Sequence, residues 1–241
     1  MEVNMNRPML AIFDNDGTIC DSQGVEGLCY ARAIKQVTGI SLATLDWTKY
    51  EEQTSTAIVR GLLADDSEAE VKEEGIKQEF VRLLEEERRR FPGDFSPLEG
   101  VIGFIGRLRK EGIYTVAIAT GCFDNSARFK LQCCGIGLDE FPHATSSDTP
   151  RRRDIIRLAA SRAGIEITSA IYFGDAPWDA RASSALGIPM IGIGRRIEQL
   201  RQLGVENVFR DYSDAEAIIG AMRELMDNMC AGSNILSDAL H

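Results

Sequence analysis

The segment Met9-Leu10-Ala11-Ile12-Phe13-Asp14-Asn15-Asp16-Gly17-Thr18 decides the fold, because five apolar residues run unbroken into two acids and a glycine. A short apolar run ending in a turn signal reads as a strand buried on both faces of a parallel sheet. Side chains at i and i+2 leave a strand on the same side. Asp14 and Asp16 therefore share one crevice at the carboxyl end of the strand, where open parallel sheets place their ligands. D-x-D-G also opens calcium loops, but those need more oxygen ligands and a closing Glu within about twelve residues. The continuation Thr18-Ile19-Cys20-Asp21, with Gln23 and Gly24 beyond it, lacks them.

Outward from this segment the same rhythm recurs. Strands are predicted at Tyr114 to Ala119, His143 to Ser146, Ala170 to Phe173 and Pro189 to Ile193, with a sixth at Asn207 to Phe209. Helical stretches lie between them at Val101 to Glu111, Asn125 to Cys134, Asp154 to Ala163 and Asp179 to Leu186. Strand and helix in alternation predict the α/β class, a Rossmann-like parallel sheet. Residues 22–97 break the pattern with helical periodicity and a charged run from Ser67 to Arg90. In that run Val71, Phe80, Leu83 and Leu84 are expected to form one packed stripe against a solvated face. Pro92, Gly93 and Pro97 supply the turn back. The expected division is a core of residues 1–21 and 98–241 with an inserted α-helical cap of residues 22–97.

Composition narrows the function classes. The chain has 241 residues, 44% of them apolar and 27% charged, a mix suited to a packed core and unlike that of disordered chains. The 27 basic and 37 acidic residues leave 27 − 37 = −10, which repels a phosphate backbone and argues against nucleic acid as a partner. Six cysteines at 20, 29, 122, 133, 134 and 230 form no C-x-x-C pair, and two histidines complete no structural zinc site. The first residues carry no export signal and no apolar run spans a bilayer. A cytoplasmic protein with reduced thiols and no membrane partner is expected. The tail from Asn228 to His241 carries no readable function.

A second acidic pair follows another apolar strand, in Ile171-Tyr172-Phe173-Gly174-Asp175-Ala176-Pro177-Trp178-Asp179. Four carboxylates at two buried strand ends repel one another unless a cation lies among them. A hard divalent ion such as magnesium, held by carboxylates and substrate phosphate, answers that need and points to phosphoryl transfer. Asp179 is placed equally well to cap the helix that follows. The strand ending Ala119-Thr120-Gly121 offers a hydroxyl and open backbone N–H groups to an anion, although Thr-Gly is also a common turn. Ser147-Asp148-Thr149-Pro150-Arg151-Arg152-Arg153 adds a cationic cluster in an acidic protein, and one arginine facing the crevice would fork onto phosphate oxygens.

These three strand ends, in this order, resemble the haloacid dehalogenase superfamily of phosphohydrolases, especially its phosphoglycolate phosphatase-like members. FDNDGT is similar to the nucleophile loop, VAIAT to the second motif, and FGDAPWD to the metal motif, with ALGIP following. The resemblance spans nearly the whole chain. It implies a magnesium-dependent phosphatase acting on a small phosphorylated metabolite, as a monomer or homodimer. Asp14 would be the nucleophile and Asp16 the general acid and base. Thr120 and the Gly121 amide would hold phosphoryl oxygens, with Cys122 in the pocket wall and Thr18 bracing the loop. Magnesium would be bound by the Asp14 carboxylate, the Asp16 carbonyl and Asp175, with Asp179 contributing directly or through water. Strand one would lie between strands two and four.

The third motif departs from the family pattern. Its usual lysine position falls on Pro150, so Arg152 is expected in that role, with Arg151, Arg153 and Lys130 as the other cations. Lys130, within Arg128-Phe129-Lys130-Leu131, reads as a surface residue. Asp16 disfavours a dehalogenase, which has no alkoxide to protonate. A sugar-phosphate mutase has the same two aspartates, and a non-catalytic binding protein that keeps the fold is the alternative from another class. Thr54, Ser55 and Arg60 are candidate cap contacts, although ordinary capping accounts for them equally.

Overall fold

The computed structural model describes residues 8–22 and 24–238, with side chains through Met229. Cys230 and both chain ends fall outside the described side chains, and with them the sequence readings made there.

Strand β1 (Met9–Phe13) leads through a short strand β2 (Cys20–Asp21) into three helices, α1 (Glu26–Thr38), α2 (Ser55–Leu62) and α3 (Ala69–Arg90). The chain returns on β3 (Ser96–Pro97) and then alternates: α4 (Val101–Glu111), β4 (Tyr114–Thr120), α5 (Asp124–Cys133), β5 (His143–Thr145), α6 (Arg152–Ala163) and β6 (Ala170–Gly174). It continues through α7 (Pro177–Leu186), β7 (Met190–Ile193), α8 (Ile197–Gln202), β8 (Val208–Phe209) and α9 (Ala215–Asp238). Six strands form one sheet in the order β5-β4-β1-β6-β7-β8, and every pairing in it is parallel. The fold is α/β and Rossmann-like, with β1 between β4 and β6.

Alternation along the strands builds two cores. Ala11, Phe13, Ile171 and Phe173 pack with Phe104 and Leu108 of α4 and Ile218 and Met222 of α9. Leu10, Ile12 and Tyr172 pack on the other face against Ile155 and Ile156 of α6 and Leu200 of α8. Full burial of each such side chain contributes roughly 1.5–3 kcal/mol. A third cluster fills the inserted helices, where Tyr30, Ile34, Ile76 and Phe80 meet Phe123 beside α5.

Two features depart from the sequence reading. The ribbon in which β2 pairs antiparallel with β3 was not expected, since two-residue strands carry no alternation to detect. It joins the outgoing and returning chains at the base of the helical insertion, and the Leu98 N–H donates to the Ile19 carbonyl at 2.9 Å beside it. Val71 does not belong to the packed stripe of α3. It is 75% exposed, whereas Ile76, Phe80, Leu83 and Leu84 are buried. At about 100° per residue, Val71 stands about 140° around the helix from Ile76, on the solvent side.

Candidate active site

β1 and β6 run side by side with Phe13 opposite Phe173, so their acidic continuations emerge together. The Asp14 N–H donates to the Phe173 carbonyl at 2.9 Å, extending the ladder by one bond into the loop. The chain then reverses around the Asn15 carbonyl, which accepts from the N–H groups of Thr18, Ile19 and Cys20 at 2.8–3.2 Å. Gly17 makes that reversal at φ +76°, where a side chain would be strained.

Carboxylate oxygens of Asp14, Asp175 and Asp179 lie within 4.8 Å of one another, and all three residues are buried. Two cations enter this acidic knot. The Arg152 guanidinium, 7% exposed, lies 2.9 Å from Asp179 and 3.5 Å from Asp14 and donates to the Gln53 carbonyl at 3.3 Å. Arg196 pairs with Asp175 and lies over the Trp178 ring, 5.7 Å from its centroid. Burial pushes the Asp14 carboxyl well above the ordinary carboxylate range; Arg152 opposes the rise, while Asp179, Asp16 and Asp175 add to it. Asp179 is also raised by burial, against Arg152, the Ala176 N–H and the Tyr172 hydroxyl. Arg152 itself stays charged, since the pull of Asp179 and Asp14 outweighs its burial.

The donor set suits a hard cation. Asp14 Oδ1 is buried without a hydrogen-bond partner, and an unpartnered carboxylate oxygen beside two further carboxylates is a ready ligand. Asp179 is already committed: Oδ1 accepts from Arg152 at 2.9 Å and Tyr172 at 3.2 Å, and Oδ2 accepts from the Ala176 N–H at 3.1 Å. Gly174 makes room for it, because a Cβ there would meet the Asp179 side chain at 2.7 Å.

β4 brings Thr120, Gly121 and Cys122 to the same cavity of about 120 Å³, which Asp14, Asp16, Arg152 and Asp175 also line. The Cys122 N–H donates to the Thr120 hydroxyl oxygen at 3.3 Å. Of the three consecutive arginines only Arg152 turns inward, and Arg151 and Arg153 are exposed. Most of the remaining wall comes from the insertion, where Glu26, Tyr30, Trp47, Gln53, Thr54 and Ser55 face the cavity, and Trp178 and Arg196 of the core also line it. Thr54 both caps α2, accepting from the Ala57 N–H, and donates to the Pro150 carbonyl at 2.6 Å. Arg60 does not line the cavity; it pairs with Glu73 at 2.9 Å.

Lys130 overturns its sequence reading. It is not a surface residue but completely buried, with Nζ 2.7 Å from Asp16 and 2.6 Å from Glu26. It stays charged because the attraction of Asp16, Cys122 and Glu26 outweighs the burial that disfavours the ammonium. Helical spacing alone could not place it, since no strand alternation or turn marks which side of α5 meets the insertion. Glu26, Trp178 and Arg196 were missed as well. The signal for Arg196 was present, as a cation just past the Ile193 strand end, where crevice residues gather.

Among known proteins, a family model for haloacid dehalogenase-like hydrolases matches residues 8–187. A hydrolase from Pseudomonas syringae superposes with a TM-score of 0.68 at 22% identity, covering 90% of this chain and 98% of that one. CbbY from Rhodobacter sphaeroides, solved with phosphate, gives 0.67 at 17% identity, with 86% and 96% covered. A predicted phosphoglycolate phosphatase from Haemophilus somnus gives 0.62 at 18% identity, with 90% and 100% covered. No curated protein matches the sequence significantly. Among the described residues, no helix is long and apolar enough to cross a membrane.

Proposed function

This chain belongs to the haloacid dehalogenase-like hydrolases, and from that premise we propose that it is a magnesium-dependent phosphatase for a small phosphorylated metabolite. One observation carries the reading: Asp14 and Asp175 converge within 4.8 Å on a cavity that Arg152, Thr120 and Gly121 also line. That arrangement suits a phosphoryl group held between carboxylates and cations.

Asp14 attacks phosphorus and takes the phosphoryl group as an aspartyl-phosphate while the bond to the leaving oxygen breaks. Asp16 gives that oxygen its proton, then takes a proton from the water that cleaves the acyl phosphate. Thr120 and the Gly121 N–H bind the equatorial oxygens, and Arg152 counters their growing charge. Asp14, the Asp16 carbonyl and Asp175 would hold the magnesium ion, with Asp179 acting mainly as the anchor of Arg152. A magnesium ion so held neutralises the facing carboxylates and polarises the phosphoryl oxygens. The division into a core of residues 1–21 and 98–241 and a cap of 22–97 belongs to this reading, with the insertion closing over the substrate. An intracellular setting suits the free thiols of Cys20, Cys29, Cys122, Cys133 and Cys134.

Hydrolysis of p-nitrophenyl phosphate by the purified protein, with magnesium and with EDTA, tests the proposal. A magnesium-dependent rate that disappears in Asp14→Asn is expected. Absence of hydrolysis with any phosphate ester overturns it and leaves a protein that only binds.

A further inference from the structure

The buried cluster beside the phosphoryl site extends the reading to a residue with no counterpart in the chemistry above. Lys130 Nζ has three N–H donors and meets three acceptors: Asp16 Oδ2 at 2.7 Å, Glu26 Oε1 at 2.6 Å and Cys122 Sγ at 3.0 Å. The Asp16 carboxylate is gripped on both oxygens in return. Oδ1 accepts from the Ser22 hydroxyl, and Oδ2 accepts from the Cys122 thiol at 2.6 Å as well as from Lys130. Stability does not account for this arrangement, since apolar side chains of similar volume commonly hold a fold as well as a buried ion pair does. What the ions supply is orientation. An ammonium fixed between two carboxylates sets where each can point, and Glu26 lies in the first turn of α1, the first helix of the insertion.

Building on the phosphatase reading, we propose that Lys130 is a positioning residue for Asp16: it aims the acid-base carboxylate at the leaving oxygen and, through Glu26, ties that aim to helix α1. Asp14 is untouched by this role, as is attack on phosphorus. Loss of Lys130 therefore matters in proportion to how badly the leaving oxygen needs a proton. p-Nitrophenolate departs without one, whereas unsubstituted phenolate is a poorer leaving group and depends on it.

The test compares kcat/KM for a series of aryl phosphates from p-nitrophenyl to phenyl phosphate, in the wild type and in Lys130→Met. This ratio reports only the steps through leaving-group departure, so the later attack of water does not enter. Proton transfer to a leaving group contributes typically 10²–10⁴-fold, and Lys130→Met is expected to lose at least about tenfold on phenyl phosphate. Its loss on p-nitrophenyl phosphate is expected to stay under about threefold, so dependence on the leaving group steepens. The double variant Lys130→Met/Glu26→Met removes one charge of each sign and tests the same slope if the single variant fails to fold. Equal losses across the series, or an unchanged rate on phenyl phosphate, overturn the role of Lys130 and leave the phosphatase intact. A wild type inactive on every ester overturns the phosphatase reading first.

Discussion

Replacing Arg152 with methionine keeps much of the side-chain volume and removes the cation from the acidic knot. At an effective dielectric of about 20, the contacts of 2.9 Å to Asp179 and 3.5 Å to Asp14 carry gross attractions of about 6 and about 5 kcal/mol. Most of this is offset by dehydration of the guanidinium, which is buried to the same depth as its partners. The net loss is set instead by what remains: two buried carboxylates without their cation, a situation that costs about 3–5 kcal/mol. Urea unfolding in EDTA measures it directly. Arg152→Met is expected to lose stability in that range, while Arg153→Met, with a side chain 49% exposed, stays within about 0.5 kcal/mol of wild type. Turnover of p-nitrophenyl phosphate is expected to fall 10²–10³-fold, as when a donor to a developing oxyanion is removed. A stability loss under about 1 kcal/mol refutes the reasoning, because Arg152 would then not be screening these acids.

Three further outcomes are expected. Magnesium at a hundredfold excess over its Kd raises unfolding stability by about 2.7 kcal/mol, and Asp175→Asn abolishes the gain; an equal gain in the variant places the ion elsewhere. Arg196 competes with a cation for Asp175, so Arg196→Gln tightens magnesium binding up to about fivefold, the equivalent of a partly exposed ion pair; calorimetric titration of both proteins decides, and weaker binding contradicts it. Burial pushes the Cys122 thiol well above its usual value, Asp16 adds to the rise and Lys130 opposes it, so little thiolate forms at neutral pH. Iodoacetamide is expected to modify the half-buried Cys133 before Cys122, and peptide mapping that finds Cys122 alkylated earlier contradicts this.

The centre of the sheet could be read from sequence because β1, β4, β6 and β7 each end an apolar run in an acid, threonine or glycine, whereas the edge strands β5 (His143-Ala144-Thr145) and β8 (Val208-Phe209) carry a much shorter signal. The acids at 14, 16, 175 and 179 were visible for the same reason, as charges that interrupt apolar runs. What escaped was Lys130, a cation in the middle of a helix. Lys130 lies in an amphipathic segment rich in charge, where a cation turned inward and one turned outward look alike, whereas Arg152 was expected from the family resemblance and does line the cavity. Tertiary contact decides between them: Arg152 begins α6 at the mouth of the cavity, and Lys130 faces Glu26 across the boundary with the insertion. Val71 fails for the converse reason, as an apolar residue outside the phase of its helix.

The rings of Phe13 and Phe173 stack with centroids 4.3 Å apart and planes 9° from parallel, one and two residues upstream of Asp14 and Asp175. The backbone ladder sets the spacing of the two strands, and the stacked rings fill the layer directly beneath the acids, so the floor of the crevice is aromatic carbon packed on that ladder. Leucine at either position would remove the stacked contact and loosen the packing under the acids without changing a polar side chain. Positions 13 and 173 thus behave as one unit of constraint, and tolerance to change in this crevice is decided one layer beneath the residues that carry its charge.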